Sequence, residues 1–191
     1  MQKMNMLGKG NTAEVFEYEK GKVCKLFFQG YPHEYVGLEF KNAKEMYRNE
    51  ISVPKPFQMV NIENREGIIY EKIEGKTLLT IITETEETIE AILDMFVHLH
   101  LDILGHHSKN VLSYKQYLIA MLKNKKVTNQ MLFNKVISLP DDDYLLHGDF
   151  HPNNVLVMPD ETLVVIDFMN VCYGPVLYDI ARTYFLIKQY N

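Results

Sequence analysis

Several features that would assign a protein to a class at once are missing from this sequence. Its two cysteines, Cys24 and Cys172, form no CxxC pair, so the chain fits a reducing cytosol and has no zinc framework. No uninterrupted apolar run approaches the roughly 20 residues of a membrane helix. The first residues, MQKMNMLGKG, contain no signal-peptide core. We therefore expect a cytoplasmic protein without a membrane partner.

An excess of basic residues is missing too. Lys and Arg together number 20 against 25 Asp and Glu, a net charge of −5, and the longest basic run is Lys125-Lys126. Because neutralising a phosphate backbone needs clustered cations, we expect no nucleic-acid partner. What is present is a globular composition, 191 residues with 47% apolar and 24% charged, enough for one large domain or two small lobes. Nothing in it indicates an oligomeric state.

The hydrophobic pattern changes near Ile73–Gly75. Before this point the pattern predicts one helix and four strands, at Glu34–Asn49, Ala13–Tyr18, Lys22–Phe28, Phe57–Ile62 and Gly67–Ile73. After it, helical spacing predominates. A capping box beginning at Thr83 predicts a long helix from about Glu86 to Leu104, and a last helix is predicted over Val176–Lys188.

The strongest motif is LHGDFHPNNVL, which begins at Leu146. His147, Asp149 and Asn154 lie at the offsets of the kinase catalytic-loop pattern H-R-D-L-x-x-x-N. That chemistry needs a carboxylate that reaches the attacking hydroxyl and, a short loop later, an amide oxygen that faces the metal on the nucleotide phosphates. A polar turn between two strands, with a buried histidine, explains this segment equally well when it is taken alone.

A second motif, VVIDF, follows one hairpin later and ends an apolar strand at Asp167. The aspartate of D-F-G in kinases chelates magnesium from the same place. Many strands end in Asp, so this motif alone is a weak signal. It becomes a strong one because it follows the LHGDFHPNNVL motif by one hairpin. Oxygen ligands from Asn154 and Asp167 suit a hard cation that keeps water and phosphate oxygens.

A third motif, GKGNTAEV, runs from Gly8 to Val15 and fits G-x-G-x-x-G-x-V with Ala13 in the third glycine position. Gly8 and Gly10 would let the backbone approach phosphates. An ordinary glycine turn explains the segment when it is taken alone. A Rossmann loop is a further alternative, but it needs a helix after the turn, and here a strand is predicted.

A fourth feature is Lys25, in an otherwise apolar strand, where a lysine is costly unless it is paired. Kinases use such a lysine to hold the α and β phosphates while it bonds to a helix glutamate. We favour Glu39 as that glutamate, with Glu34 and Glu45 as alternatives. A lysine at a solvated strand edge is the other explanation.

In this order the motifs resemble the protein-kinase-like superfamily, and more closely its aminoglycoside phosphotransferase and choline kinase group. The closer match rests on HGDFH from His147, on IDF followed by Met169 instead of glycine, and on GPVLYDIAR from Gly174, which is similar to G-D-P-x-x-x-D-x-A. The resemblance covers nearly the whole chain.

The resemblance implies an α+β, two-lobed fold with a small antiparallel β-rich N-lobe (1–73), a mostly helical C-lobe (74–191) and a short C-terminus. ATP would lie between the lobes and Mg²⁺ would accompany it. The implied roles are as follows: adenine bonds to the backbone at Glu71 and Ile73, Lys25 binds phosphate, Asn154 and Asp167 hold magnesium, Asp149 acts on the acceptor hydroxyl, and His147 and Asp179 brace the loop.

The acceptor is implied to be a small molecule with a hydroxyl group, such as an aminoglycoside, an amino alcohol or a sugar-like compound. Only twelve positions separate Asp167 from Asp179 and no Ala-Pro-Glu follows, which leaves no room for the activation segment of a protein kinase. In this family, helices after the Asp179 segment help to shape the acceptor pocket. Either residues 75–140 build that pocket here, or the chain is a fragment, or acceptor specificity is reduced.

Two other functions remain open. His147, Asp149 and His151 can be interpreted as ligands of a metallohydrolase, although the further clusters of a two-metal site are not found. Alternatively, the chain is a pseudokinase that binds a nucleotide or a partner without catalysis.

Overall fold

The computed structural model describes residues 5–84 and 90–190. It has an α+β fold with two compact units, formed by residues 5–84 with 153–169 and by residues 90–152 with 170–190. The expected α+β class is therefore confirmed. The assignment of 1–73 and 74–191 to two lobes stays a prediction.

Five antiparallel strands form the main sheet of the first unit, in the order β1-β2-β3-β5-β4. Their bounds are β1 Met6–Lys9, β2 Ala13–Glu19, β3 Lys22–Phe27, β4 Pro56–Ile62 and β5 Arg65–Glu71. The β2–β3 turn contains Gly21 at a φ of 73°, and the β4–β5 turn has Glu63 and Asn64 at 53° and 62°. Left-handed turn residues match the twist of antiparallel hairpins, which keeps the register of each pair fixed.

Helix α1, His33–Arg48, joins β3 to β4 and differs by one residue at each end from the predicted helix. Its apolar face buries Val36, Ala43 and Met46 completely. The same helix also buries Glu39, which lies three residues after Val36 and four before Ala43. A carboxylate on the core face of a helix requires a charged or hydrogen-bonding partner.

A second, three-stranded sheet completes the first unit. Its strands are β6 Lys76–Thr77, β9 Val155–Val157 and β10 Leu163–Val165, in the order β10-β9-β6, and helix α2, Leu78–Glu84, follows β6. Ser52 fastens the β9–β10 hairpin: its carbonyl accepts from the Val165 N–H at 2.8 Å and its hydroxyl donates to the Leu163 carbonyl at 2.6 Å. The hairpin therefore holds a fixed position within this unit.

The second unit is mostly helical. Its helices are α3 Glu90–Leu104, α4 Tyr114–Asn124, α5 Gln130–Ile137 and α6 Val176–Ile187, and its sheet has the order β7-β11-β8, with β7 Leu112–Ser113, β8 Tyr144–Leu146 and β11 Cys172–Gly174. Ser113 and Gln116 form a capping box at the start of α4, which satisfies backbone groups at that end. Leu104, Tyr114, Leu146 and Cys172 form a core cluster. None of the helices within residues 5–84 and 90–190 has the length and apolarity to cross a bilayer.

The predicted start of the long helix, near Glu86, lies outside the described residues. Thr83, the first residue of the expected capping box, lies in the last turn of α2, where its hydroxyl donates to the carbonyls of Leu79 and Thr80. Threonine makes such bonds within a helix as readily as it caps one, so the capping signal was ambiguous. The other part of that capping box, at positions 85 and 86, lies outside the described residues.

Two leucines of the second unit differ in burial and give a direct test of where its core lies. Leu146 is 0% exposed and Leu177 is 73% exposed. We expect Leu146→Ala to lower the free energy of unfolding by about 2–5 kcal/mol, since it removes buried methyl groups and leaves a cavity. Leu177→Ala should change it by less than about 0.5 kcal/mol. Denaturant titration of both variants measures this, and equal losses would contradict the assignment of the core.

Candidate active site

Lys25 lies in the middle of β3 and forms ion pairs with two carboxylates. Its Nζ is 2.7 Å from Glu39 Oε1 and 3.1 Å from Asp167 Oδ1. The side chains of Lys25 and Glu39 are 16% and 1% exposed. Of the three glutamates that the sequence left open, Glu39 is the partner, since Glu34 is exposed and Glu45 hydrogen-bonds to Asn49. The pair with Asp167 was not anticipated.

This cluster holds two carboxylates against one ammonium group. Burial alone would lower the pKa of Lys25, but the charges of Glu39 and Asp167 outweigh burial and raise it. Burial raises the pKa of Glu39, and the like charge of Asp167 adds to that effect. Asp167 is the exposed member at 42%. The cluster therefore keeps a charged lysine, and Asp167 is its solvent-facing carboxylate.

The backbone around Asp167 is held in an unusual conformation. Asp167 has a φ of 70°, the left-handed region that few non-glycine residues adopt. The next residue is anchored, because Asn42 of α1 donates to the Phe168 carbonyl at 2.9 Å and the Phe168 ring lies 6.1 Å from that of Tyr70. Backbone strain of this kind costs of order 1–3 kcal/mol and is concentrated at functional sites. With this left-handed conformation after β10, the Asp167 carboxylate reaches Lys25.

Asn154 and Asp167 lie at the same end of the β9–β10 hairpin. Asn154 directly precedes β9, and its carbonyl accepts from the Ile166 N–H at 2.9 Å. An amide oxygen and a carboxylate are the donors that Mg²⁺ prefers. Among residues 5–84 and 90–190 no group of three or more His, Cys, Asp or Glu side chains could hold a metal. The assignment of Asn154 and Asp167 to a Mg²⁺ ion, whose other ligands would be water and phosphate oxygens, stays a prediction.

In the second unit Asp179 of α6 supports the loop that contains Asp149. Asp179 is fully buried and accepts from the backbone N–H groups of His147 at 3.0 Å and Gly148 at 2.7 Å. His100 Nε2 lies 3.2 Å from the same carboxylate, and the His100 ring stacks on Phe150. Burial alone would raise the pKa of Asp179, but the hydrogen bond from His100 and the neighbouring donors outweigh it and lower that pKa. Asp179 thus braces the loop as a carboxylate.

The His147 side chain forms part of the loop that contains Asp149. Its side chain is completely buried, and its Nδ1 accepts from the Asp149 N–H at 3.3 Å. His151 Nε2 lies 3.9 Å from Asp149 Oδ2, too far for a hydrogen bond. The three residues that a metallohydrolase would use are therefore arranged as a braced turn.

Gly148 is required by the shape of this loop. Its φ is 74°, and a Cβ at this position would lie 2.2 Å from the Asn170 carbonyl oxygen. A side chain would therefore meet both backbone strain and a backbone clash. This explains the glycine that stands before Asp149.

Arg182 is the main residue that the sequence reasoning missed. Its Nη2 lies 3.3 Å from Asp149 Oδ1 and its Nε donates to the Gly148 carbonyl. The available signal was its position on α6 three residues after Asp179, which puts both residues on one helix face. Two residues of α6 thus contact the same loop.

The other residues that are predicted to contact the nucleotide lie on the main sheet or directly beside it. Gly8 pairs with Val15, and the Gly10 N–H donates to the Ala13 carbonyl at 2.9 Å, so the glycine motif forms the β1–β2 turn. The Glu71 N–H donates to the Lys55 carbonyl at 2.9 Å. Ile73 follows two residues later, just past the sheet. Their roles toward a nucleotide stay predictions.

The model of the phosphotransferase enzyme family (APH) matches residues 5–189, and the chain belongs to that family. The predicted family is therefore confirmed.

Solved structures show the same fold. The chain is similar to an aminoglycoside-3'-phosphotransferase of type VIII, with 14% identity and a TM-score of 0.64 over 95% of this chain and 77% of that one. It is also similar to WbdD, with 16% identity and a TM-score of 0.54 over 90% of this chain and 33% of that one. For WbdD co-crystallised with a kinase inhibitor, the identity is 16% and the TM-score is 0.57, over 95% of this chain and 36% of that one. The chain thus spans about a third of WbdD. A search of curated proteins found no match.

Two glycines test the account of the loop. An alanine in the left-handed conformation costs about 1–2 kcal/mol. We expect Gly148→Ala to lower the free energy of unfolding by more than this, because the clash with Asn170 adds to that cost. Gly37→Ala, inside α1 with nothing within 4 Å of the added Cβ, should raise stability by up to about 1 kcal/mol. Thermal and denaturant unfolding measure both. A Gly148→Ala protein as stable as the wild type would refute the loop geometry.

Proposed function

We propose that this protein transfers the γ-phosphoryl group of ATP to a hydroxyl of a small molecule, with Mg²⁺ bound to the nucleotide. The observation that carries the proposal is the ion pairing of Lys25 with both Glu39 and Asp167. Kinase chemistry needs a strand lysine held by a helix glutamate, and a metal-binding aspartate beside it. All three residues occur here in that relation.

The nucleotide would be held by residues of the first unit. Lys25 provides a permanent ammonium group for the α and β phosphates, since its pKa is raised. Glu39 fixes the direction of Lys25 from a buried position. The turn at Gly8 and Gly10 would provide backbone N–H groups, and the backbone at Glu71 and Ile73 would bond to adenine.

The metal would be held by Asn154 and Asp167. Bound there, Mg²⁺ would neutralise charge on the phosphate oxygens during transfer. Asp167 is the exposed carboxylate of the Lys25 cluster, which supports this assignment.

Asp149 would orient the acceptor hydroxyl and take its proton. In this step the hydroxyl oxygen forms a bond to the γ-phosphorus, the bond between that phosphorus and the β–γ bridging oxygen breaks, and ADP leaves. Asp179 supports the loop through two backbone N–H groups. The presence of a complete set of such groups favours an enzyme over a pseudokinase.

A small acceptor fits the segment after Asp167. Strand β11, Cys172–Gly174, and helix α6, which starts at Val176, follow almost at once. A protein kinase needs a long activation segment there to bind a peptide. The short connection supports a small-molecule acceptor, in the class of aminoglycosides, amino alcohols or sugars.

Asp149→Asn tests the catalytic assignment. We expect γ-phosphoryl transfer to fall at least about 10³-fold, because the amide cannot accept the proton, whereas binding of ATP with Mg²⁺ should stay within about twofold. Asp102→Asn, an equal change at an exposed position of the same unit, should leave transfer unchanged. Radiolabelled transfer and calorimetric ATP binding measure the two effects. Retained transfer in Asp149→Asn would show that the base is another group.

A thermal-shift screen identifies the acceptor class. The wild-type protein is heated with ATP and Mg²⁺, together with aminoglycosides, amino alcohols, sugars or nucleosides. We expect ATP with Mg²⁺ to raise the melting temperature and one acceptor class to raise it further, because ligands that bind only the folded state stabilise it. No stabilisation by ATP with Mg²⁺ would count against a kinase function altogether.

A further inference from the structure

We propose that Arg182 is a positioning residue for Asp149, which it holds through one carboxylate oxygen so that the other is directed at the acceptor hydroxyl. The proposal rests on the proposed function, since it gives Asp149 a defined geometry for that reaction. Nothing in the catalytic-loop motif itself specifies such a residue, because Arg182 lies 33 positions further along the chain.

The contacts of Arg182 form a fork over the loop. Nη2 lies 3.3 Å from Asp149 Oδ1, and Nε donates to the carbonyl of Gly148, the residue just before. A planar guanidinium that bonds to a backbone carbonyl and to the adjacent side chain fixes both the direction of the backbone and the side-chain rotamer of Asp149. Lysine has no such fork, so it could provide the charge but not the same geometry.

Arg182 is itself held in place. It lies on α6 three residues after Asp179, whose carboxylate accepts from the Gly148 N–H. Gly148 is thereby bonded from both of its backbone groups to one helix face. Its left-handed φ and the Asn170 carbonyl, which lies where a Cβ would be, exclude a side chain at this position. The loop, Asp179 and Arg182 therefore form one rigid support for Asp149.

The charges around Asp149 agree with a positioning role. Burial alone would lower the pKa of Arg182, but Tyr178, Tyr117 and Asp149 outweigh it and raise that pKa, so the guanidinium is charged. His151 Nε2 lies 3.9 Å from Oδ2 on the other side of Asp149. The Arg182 guanidinium forms an ion pair with Asp149 Oδ1 at 3.3 Å.

A purely structural role makes different predictions. If Arg182 only ties α6 to the loop, its loss lowers stability, ATP binding and turnover together, and an added cation does not restore activity. A positioning residue changes kcat at constant KM for ATP.

The experiment compares Arg182→Ala, Arg182→Lys and, as a control that removes an exposed cation of the same unit, Lys188→Gln. Magnesium-dependent ADP release by the full chain is measured with the acceptor that the thermal-shift screen selects, and with water when no acceptor is added. We expect Arg182→Ala to lower kcat about 10²-fold with KM for ATP within about twofold, since misplacement of a reacting group by about 1 Å has that effect. Arg182→Lys should recover only part of the loss, and millimolar guanidinium should raise the kcat of Arg182→Ala.

Two results would overturn the inference while leaving the proposed function intact. The first is an unchanged kcat in Arg182→Ala. The second is a loss of kcat that follows the melting temperature and is not rescued by guanidinium. Absence of ADP release by the wild type would instead contradict the proposed function, and the inference with it. Lys188→Gln should behave as the wild type in every measurement.

Discussion

The bond between Lys25 and Glu39 is the interaction on which the first unit depends. An ammonium group in a sheet and a carboxylate on the core face of a helix are each costly to bury, and the removal of one partner from such a pair typically costs about 3–5 kcal/mol. Their contact at 2.7 Å makes both burials possible and sets α1 against the main sheet. Asp167 joins the same ammonium from the β9–β10 hairpin, so three elements far apart in sequence meet at one charge.

The second unit follows a similar principle with a different group. Asp179 is a carboxylate without solvent, and it is stabilised by backbone N–H groups of the loop and by His100. Because it accepts from two successive residues, it fixes the turn just before Asp149. Each unit thus has a buried charged group beside a residue that is proposed to act in the reaction. Lys25 pairs with Asp167 in the first unit, and Asp179 holds the turn before Asp149 in the second.

The sequence predicted most of what is local and little of what is distant. The β2–β3 hairpin and α1 carry clear periodic signals, and the motifs around Asp149 and Asp167 have fixed internal spacing. Glu39 was favoured over two other glutamates, and its spacing from Val36 and Ala43 explains why it faces the core. The contacts of Lys25 with Asp167 and of Arg182 with Asp149 bridge 142 and 33 positions, and no local pattern encodes them. Two-residue strands such as β6 and β7 are too short to show periodicity.

The central claim is that Lys25, held by two carboxylates, binds the phosphates of ATP. Calorimetric titration of ATP with Mg²⁺ into the wild type, Lys25→Met and Lys22→Met tests it. Lys22 lies on the same strand, but its ammonium pairs with the exposed Glu19 and lies over the Phe57 ring. We expect the wild type and Lys22→Met to bind with equal affinity and Lys25→Met to bind at least about tenfold more weakly, which is the effect of losing one charge-assisted contact. No binding by the wild type, or equal binding by Lys25→Met, would contradict it.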